Sequence, residues 1–164
     1  MKNTLSFSNA AKAAAACAIC AVACLLVGWL SSLFQGESLS QWYPLIKKPS
    51  FSPPSMVFPI AWGILYVLSG ISAGLVLTSP KEGKTAPILI FCAQLFANFL
   101  WSVLFFGMQN PAADLAGSIV LLILAALYAK SAWKISKTAS ILFVPYVLWC
   151  AFATILNLWI VFLN

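Results

Sequence analysis

Apolar residues fill five long stretches of this chain, and nearly all of its charge falls in the gaps between them. The stretches run from about Ala13 to Phe34, Met56 to Thr78, Pro87 to Gly107, Leu115 to Trp133 and Ile141 to Leu163. Each is close to the roughly 20 residues a helix needs to cross about 30 Å of hydrocarbon, so the pattern predicts five transmembrane helices. The gaps carry helix-ending chemistry: Ser79-Pro80-Lys81-Glu82-Gly83-Lys84 and Gln109-Asn110-Pro111 are proline, glycine and polar clusters. Three connections are short, which predicts that sequential helices pack as antiparallel neighbours. The exception is the segment 35–55, which carries Trp42, Tyr43, Lys47, Lys48 and four prolines. It is too apolar for a disordered linker and reads as an ordered lid between the first and second helices. The expected fold is an all-α membrane protein, a single five-helix bundle over residues 1–164.

Composition strengthens this reading. Of 164 residues, 63% are hydrophobic and 7% charged, where a soluble domain carries about a quarter charged residues. The chain has no histidine and no arginine, and its three acids, Glu37, Glu82 and Asp114, are far apart. A Ser-His-Asp triad, a carboxylate dyad and the usual zinc sites are therefore excluded, and neither a metal nor a cofactor is expected. The net charge of +6 comes from nine scattered lysines, which form no stripe for nucleic acid. Their placement instead sets topology. Lys2, Lys12, Lys81, Lys84, Lys130, Lys134 and Lys137 fall on one side of a five-helix chain, and Lys47 and Lys48 on the other. The positive-inside rule then predicts a cytoplasmic amino terminus and an outward carboxyl terminus, with a bacterial cell membrane as the expected location. The first stretch, 22 residues long, exceeds the core of a cleaved signal peptide and is expected to stay as a helix.

Polar and aromatic side chains at hydrocarbon depth are costly unless partnered, which makes them candidates for function. Phe58, Trp62, Tyr66 and Ser69 or Gly70 recur every three or four residues and share a face of the second helix. Gln94, Asn98, Trp101 and Phe105 do the same on the third, and Tyr146, Trp149, Ala153 and Asn157 on the fifth. Three such faces line one cavity if they converge. The structural alternative is that the polar groups only link helices and that tryptophans mark the headgroup belt; Trp29, Trp42, Trp133 and Trp159 are assigned to the belt or the lid. The patterns Gly70 to Gly74 and Ala113 to Gly117 suit helix packing within or between chains. Cys17 and Cys20 sit in an apolar helix and read as small hydrophobes. Asp114, just after Pro111, reads as a carboxylate completing the start of the fourth helix.

The segment from Trp42 to Tyr66, WYPLIKKPSFSPPSMVFPIAWGILY, closely resembles the translocator protein family, also called tryptophan-rich sensory proteins or TspO/MBR. Asn98-Phe-Leu-Trp101-Ser-Val-Leu-Phe105-Phe106-Gly107 and Pro145-Tyr146-Val-Leu-Trp149-Cys-Ala-Phe152-Ala153-Thr-Ile-Leu156-Asn157 agree with it. The resemblance implies a five-helix bundle, often dimeric, that binds porphyrins such as protoporphyrin IX and haem beneath the long first loop. It also implies binding of isoquinoline carboxamide or benzodiazepine-type ligands, and of sterols in some members. Trp62, Asn98, Trp149 and Ala153 match ligand-contacting positions of the family, with Tyr66 and Trp101 beside them. Some bacterial members are credited with light-dependent porphyrin breakdown needing two tryptophans, matched here by Trp62 and Trp149.

A porphyrin presents a wide apolar π surface with two propionates at one edge, so it suits a slot of aromatic rings with cations at the mouth. Phe58 and Tyr43 extend the expected ring lining, and Lys47 and Lys48 are the expected cations. Pro53 and Pro54 stiffen the approach to the second helix. Sterol binding is doubtful, because the residues after Asn157 include neither tyrosine nor base, and Leu124-Tyr128-Lys130 is only a formal match to a weak motif. The leading functional expectation is a tetrapyrrole receptor or sensor that regulates porphyrin levels. The alternatives are a photochemical porphyrin-degrading enzyme using Trp62 and Trp149, and a transporter of porphyrins or other lipophilic molecules, although no internal repeat supports the last.

Overall fold

The computed structural model describes the backbone of residues 2–164 and the side chains from Asn9 onward. Lys2, one of the lysines used for topology, lies outside the side chains described. Among the described residues five helices are long and apolar enough to cross a membrane: α1 (Lys2–Ser32), α2 (Val57–Thr78), α3 (Thr85–Ser102), α4 (Pro111–Ile135) and α5 (Lys137–Leu163). A π-helical turn, Val103–Gly107, continues α3, and a second, Ser38–Trp42, lies in the lid.

The polarity of the molecule is reversed relative to a soluble bundle. Ile19, Ile60, Leu89, Phe96, Ile123 and Leu148 are among the many large hydrophobic side chains exposed on the outer faces, while Gln94, Asn98, Ser72, Asp114 and Asn157 are buried. Lipid solvates the first group, and the second must find partners inside the protein. Some do: Ser72 and Tyr128 share a hydrogen bond at 2.9 Å, and Ser72 donates to the Ala139 carbonyl at 2.7 Å, tying α2 to α4 and α5.

The helices form a closed ring in the order α1, α2, α5, α4, α3. Short connections make antiparallel neighbours of α3 and α4 and of α4 and α5, as expected, but not of α2 and α3, which touch only sparsely although six residues, Ser79–Lys84, join them. α5 packs on α2 instead. The reason is steric and polar: α2 spends its small-residue face on α1, and the bulky aromatic faces of α2 and α3 hold those two helices apart.

Glycine explains the tightest contact. A Cβ on Gly70 would collide with the backbone of Cys20 and Ala21, and one on Gly74 with that of Ala16 and Cys17. The Gly70 to Gly74 face is thus consumed within the chain, where backbones approach because no side chain intervenes. Cys17 and Cys20 are free thiols in this seam.

Helix ends differ from the sequence reading in one informative place. α4 starts at Pro111, and its cap is Asn110, whose Oδ1 accepts the Ala113 N–H at 3.0 Å. Proline fits the first helical position because it has no N–H to satisfy. Asp114 is therefore not the cap. It sits one turn inside the helix, fully buried, with neither carboxyl oxygen in a hydrogen bond. Likewise Tyr128 is wholly buried against α2, so the Leu124-Tyr128-Lys130 pattern presents no ring to a sterol.

The lid, residues 33–56, is docked at many points. Gln35 Nε2 donates to Ser102 Oγ at 2.9 Å, Ser38 Oγ donates to the Phe106 carbonyl, and Gln109 Nε2 donates to Ser38 Oγ at 3.1 Å. The Asn164 side chain pairs with the Lys47 backbone through bonds of 2.9 and 3.0 Å, clamping the lid to the end of α5.

Candidate functional site

Beneath the lid a cavity of about 560 Å³ opens between α1, α2, α3 and α5, within the roughly 300–1,000 Å³ usual for small-molecule sites. Trp62 stands at its centre. Its ring lies 5.7 Å from Trp101, 6.4 Å from Trp149 and 5.6 Å from Tyr66, centroid to centroid. Trp101 in turn stacks on Phe105 at 6.2 Å with planes 8° apart, and Phe58 meets Trp149 edge-on at 6.0 Å. The three- and four-residue spacings on α2, α3 and α5 aim all these rings inward from different helices.

Polar groups in this box are few and specific. The Tyr66 hydroxyl donates to Asn98 Oδ1, which fixes the amide so that its nitrogen remains to donate. Asn98 Nδ2 and the indole nitrogens of Trp101 and Trp149 are buried without a partner. The same holds for Asn157 Nδ2, and such unmet donors are costly in a low-dielectric site. All four atoms are enclosed in the wall, so a guest's acceptor reaches them only if the side chain turns toward the cavity. Gly28 of α1 makes room for Tyr66, since a Cβ there would strike the phenol ring.

Of the residues singled out from sequence, Phe58, Trp62, Tyr66, Asn98, Trp101, Trp149, Ala153 and Tyr43 all line the cavity. Lys47 and Lys48 do not. The Lys48 ammonium folds back onto the lid, donating to the Tyr43 and Ile46 carbonyls and lying 4.3 Å from the Tyr43 ring centroid. Burial lowers the Lys48 pKa and raises that of the Tyr43 hydroxyl, with Ser52 opposing the latter. Lys47 is exposed, and its backbone rather than its ammonium holds Asn164. The expected pair of cations at the mouth is thus one exposed lysine and one lysine engaged in lid structure.

The structure adds lining residues the spacing argument did not select. Trp29, assigned to the belt, borders the cavity from α1, together with Gly28, Ser31 and Gln35. Phe106 joins Phe105, the two rings meeting edge-on at 4.8 Å. Adjacent residues on a regular helix point about 100° apart, and here the π-helical turn, closed by the Met108 N–H to the Val103 carbonyl at 2.9 Å, brings both rings to the site. On the α1 and α2 side, Leu25, Trp29, Met56 and Pro59 line the cavity yet are themselves exposed, so the wall there is open.

Comparison with known proteins agrees with this architecture. The model of the TspO/MBR family matches residues 20–163. The tryptophan-rich protein TspO of Chlorobaculum tepidum is 38% identical over 149 residues, covering 90% of this chain and 94% of the relative. The protein of the same name from Archaeoglobus fulgidus is 40% identical over 143 residues, 87% of this chain and 93% of its own. The human translocator protein is 33% identical over 130 residues, 77% and 76% of the two chains. The match spans the second part of α1, the lid and the other four membrane helices, and the chain is an integral multi-pass membrane protein belonging to the TspO/MBR family.

Proposed function

We propose that this protein is a membrane receptor or sensor for tetrapyrroles, protoporphyrin IX or haem, and that the same cavity accepts isoquinoline carboxamide and benzodiazepine-type ligands. The observation that carries this reading is the aromatic box: Trp62 touching Trp101, Trp149 and Tyr66 in one lid-covered cavity. Flat π systems stack on such rings, and the unpartnered N–H groups of Asn98, Trp101 and Trp149, enclosed in the wall of the empty cavity, serve carbonyl or propionate oxygens once their side chains turn toward the guest. The exposed Lys47 is the lid cation nearest in kind to what a propionate needs. A lipophilic guest dissolved in the bilayer reaches the box through the open side between α1 and α2.

The amino terminus is proposed to face the cytoplasm of a bacterial cell. In support, Lys81, Lys84, Lys130, Lys134 and Lys137 gather at the end opposite the lid, where the Lys81 ammonium donates to the Lys134 carbonyl at 2.9 Å. A homodimer in the bilayer is also proposed, formed through a lipid-facing surface other than the Gly70 to Gly74 face, which α1 already covers.

Competition tests the shared cavity. An isoquinoline carboxamide is expected to displace bound protoporphyrin IX stoichiometrically; independent binding of the two overturns the single-site reading. A second reading, photochemical breakdown, is favoured by the edge-to-face approach of Trp62 and Trp149, which places two oxidisable indoles beside a bound macrocycle. Illumination in air distinguishes it: new absorbing products that vanish in a Trp62→Phe, Trp149→Phe variant support degradation, and a stable porphyrin spectrum supports the receptor.

A further inference from the structure

Asp114 is the one acid within the membrane helices, and the account of the cavity so far leaves it unused. It is completely buried, and both carboxyl oxygens lack a hydrogen bond. The groups that face it are the Trp101 indole N–H from α3 and the Asn157 amide from α5, neither reaching hydrogen-bond geometry. Both of those residues line the cavity. An acid, an indole donor and an amide donor thus converge behind the wall, all three with unmet hydrogen-bonding capacity, in a region where that is costly.

The titratable group nearest this trio from α2 is the Tyr66 hydroxyl, which shares the box with Trp101 but is bound to Asn98. The adjoining π-helical turn Val103–Gly107 carries none. On α3 Cys92 lies about two and a half turns from Trp101, and on α5 Cys150, Tyr146 and Lys137 lie about two or more turns from Asn157. Asp114 therefore has no lysine among these neighbours to hold it ionised, and Trp101 and Asn157 stand between it and the cavity.

We propose that Asp114 is a specificity residue: its carboxyl, acting through Trp101 and Asn157, decides by its protonation whether the cavity accepts an anionic or only a neutral ligand. The inference rests on the reading of this cavity as a tetrapyrrole site. The neutral carboxyl admits propionate-bearing ligands. The carboxylate draws the two N–H donors toward itself, withdrawing them from the ligand, and repels a second negative charge across a low-dielectric gap. Affinity for an anion therefore falls as pH rises through the titration of Asp114, and by linkage an anion binds with proton uptake. Asp114 is a positioning group and need not touch the ligand.

The test uses the full chain in lipid nanodiscs with two probes sharing one macrocycle: protoporphyrin IX, anionic at its propionates, and its uncharged dimethyl ester. From about pH 6, where free carboxyls are ionised, to about pH 9, wild type is expected to lose about tenfold in affinity for the diacid and little for the ester. Asp114→Asn keeps the shape and an acceptor oxygen, and is expected to bind the diacid equally across that range. A pH dependence that persists in Asp114→Asn, or that the ester shares, overturns the proposal. A readout without ligand keeps the two readings separable. The tryptophan emission of the empty protein is expected to titrate in wild type and not in Asp114→Asn. If it titrates and neither porphyrin binds, the tetrapyrrole reading fails while Asp114 stands as a proton-responsive group. If emission titrates identically in both proteins, the role given to Asp114 is wrong whatever binds. A circular dichroism spectrum of Asp114→Asn matching wild type establishes that the variant folds.

Discussion

The Tyr66 hydroxyl and the Asn98 amide show how much of the site depends on single atoms. Tyr66→Phe leaves Asn98 Oδ1 buried without its donor, a loss of about 1–3 kcal/mol. It is expected to lower the thermal unfolding temperature in detergent and weaken ligand binding together; an unchanged melting curve contradicts the role given to this bond. At this scale the sequence was informative wherever a regular helix carries the residue. Spacings of three and four placed Trp62, Tyr66, Asn98, Trp101 and Trp149 around one space, because on a helix those spacings are adjacency. Phe106 escaped because the π-helical turn alters the period locally. Trp29 escaped because a tryptophan near a helix end resembles a belt residue, and Asp114 was misread as a cap because Asn110, four residues earlier, takes that role. Lys47 and Lys48 share a sequence neighbourhood and a charge, yet only the fold of the lid shows that Lys48 turns inward on Tyr43.

Among elements, the seam between α1 and α2 and the docking of the lid on the end of α3 frame the cavity. Gly70→Val drives a branched side chain into the α1 backbone, and an overpacking cost of about 1–3 kcal/mol or more is expected, read as a lower unfolding temperature. Gly63→Ala is the control, since a Cβ there meets nothing within 4 Å; equal losses in the two variants refute the packing argument. In the lid, Ser38 accepts from Gln109 and donates to the Phe106 carbonyl. Ser38→Ala is expected to speed ligand release about fivefold, the kinetic equivalent of about 1 kcal/mol of lid docking, in a stopped-flow displacement experiment. Release at the wild-type rate shows that the lid does not gate the cavity. The existence of five helices and an ordered lid followed from hydropathy and length alone, whereas the insertion of α5 beside α2 did not, because loop length limits which helices can be neighbours without choosing among them.

For the whole molecule, the governing fact is that lipid is the solvent. Large apolar side chains face outward, and most buried polar groups link helices or belong to the cavity and its rear wall, Gln94 and Ser69 being buried without a partner outside it. The charge asymmetry belongs to this scale too: fluorescent tags on the two termini are expected to report opposite sides of the membrane, the amino-terminal one cytoplasmic, and tags reporting the same side contradict the odd number of spans. The central claim is that one aromatic box between α2, α3 and α5 holds a tetrapyrrole. The most direct test is a titration in the dark of the detergent-purified protein with protoporphyrin IX, followed by tryptophan quenching, for wild type and for Trp62→Phe, Trp149→Phe. Saturable quenching in wild type that is lost in the double variant is the predicted result. Equal saturable quenching in both, or none in either, contradicts the account.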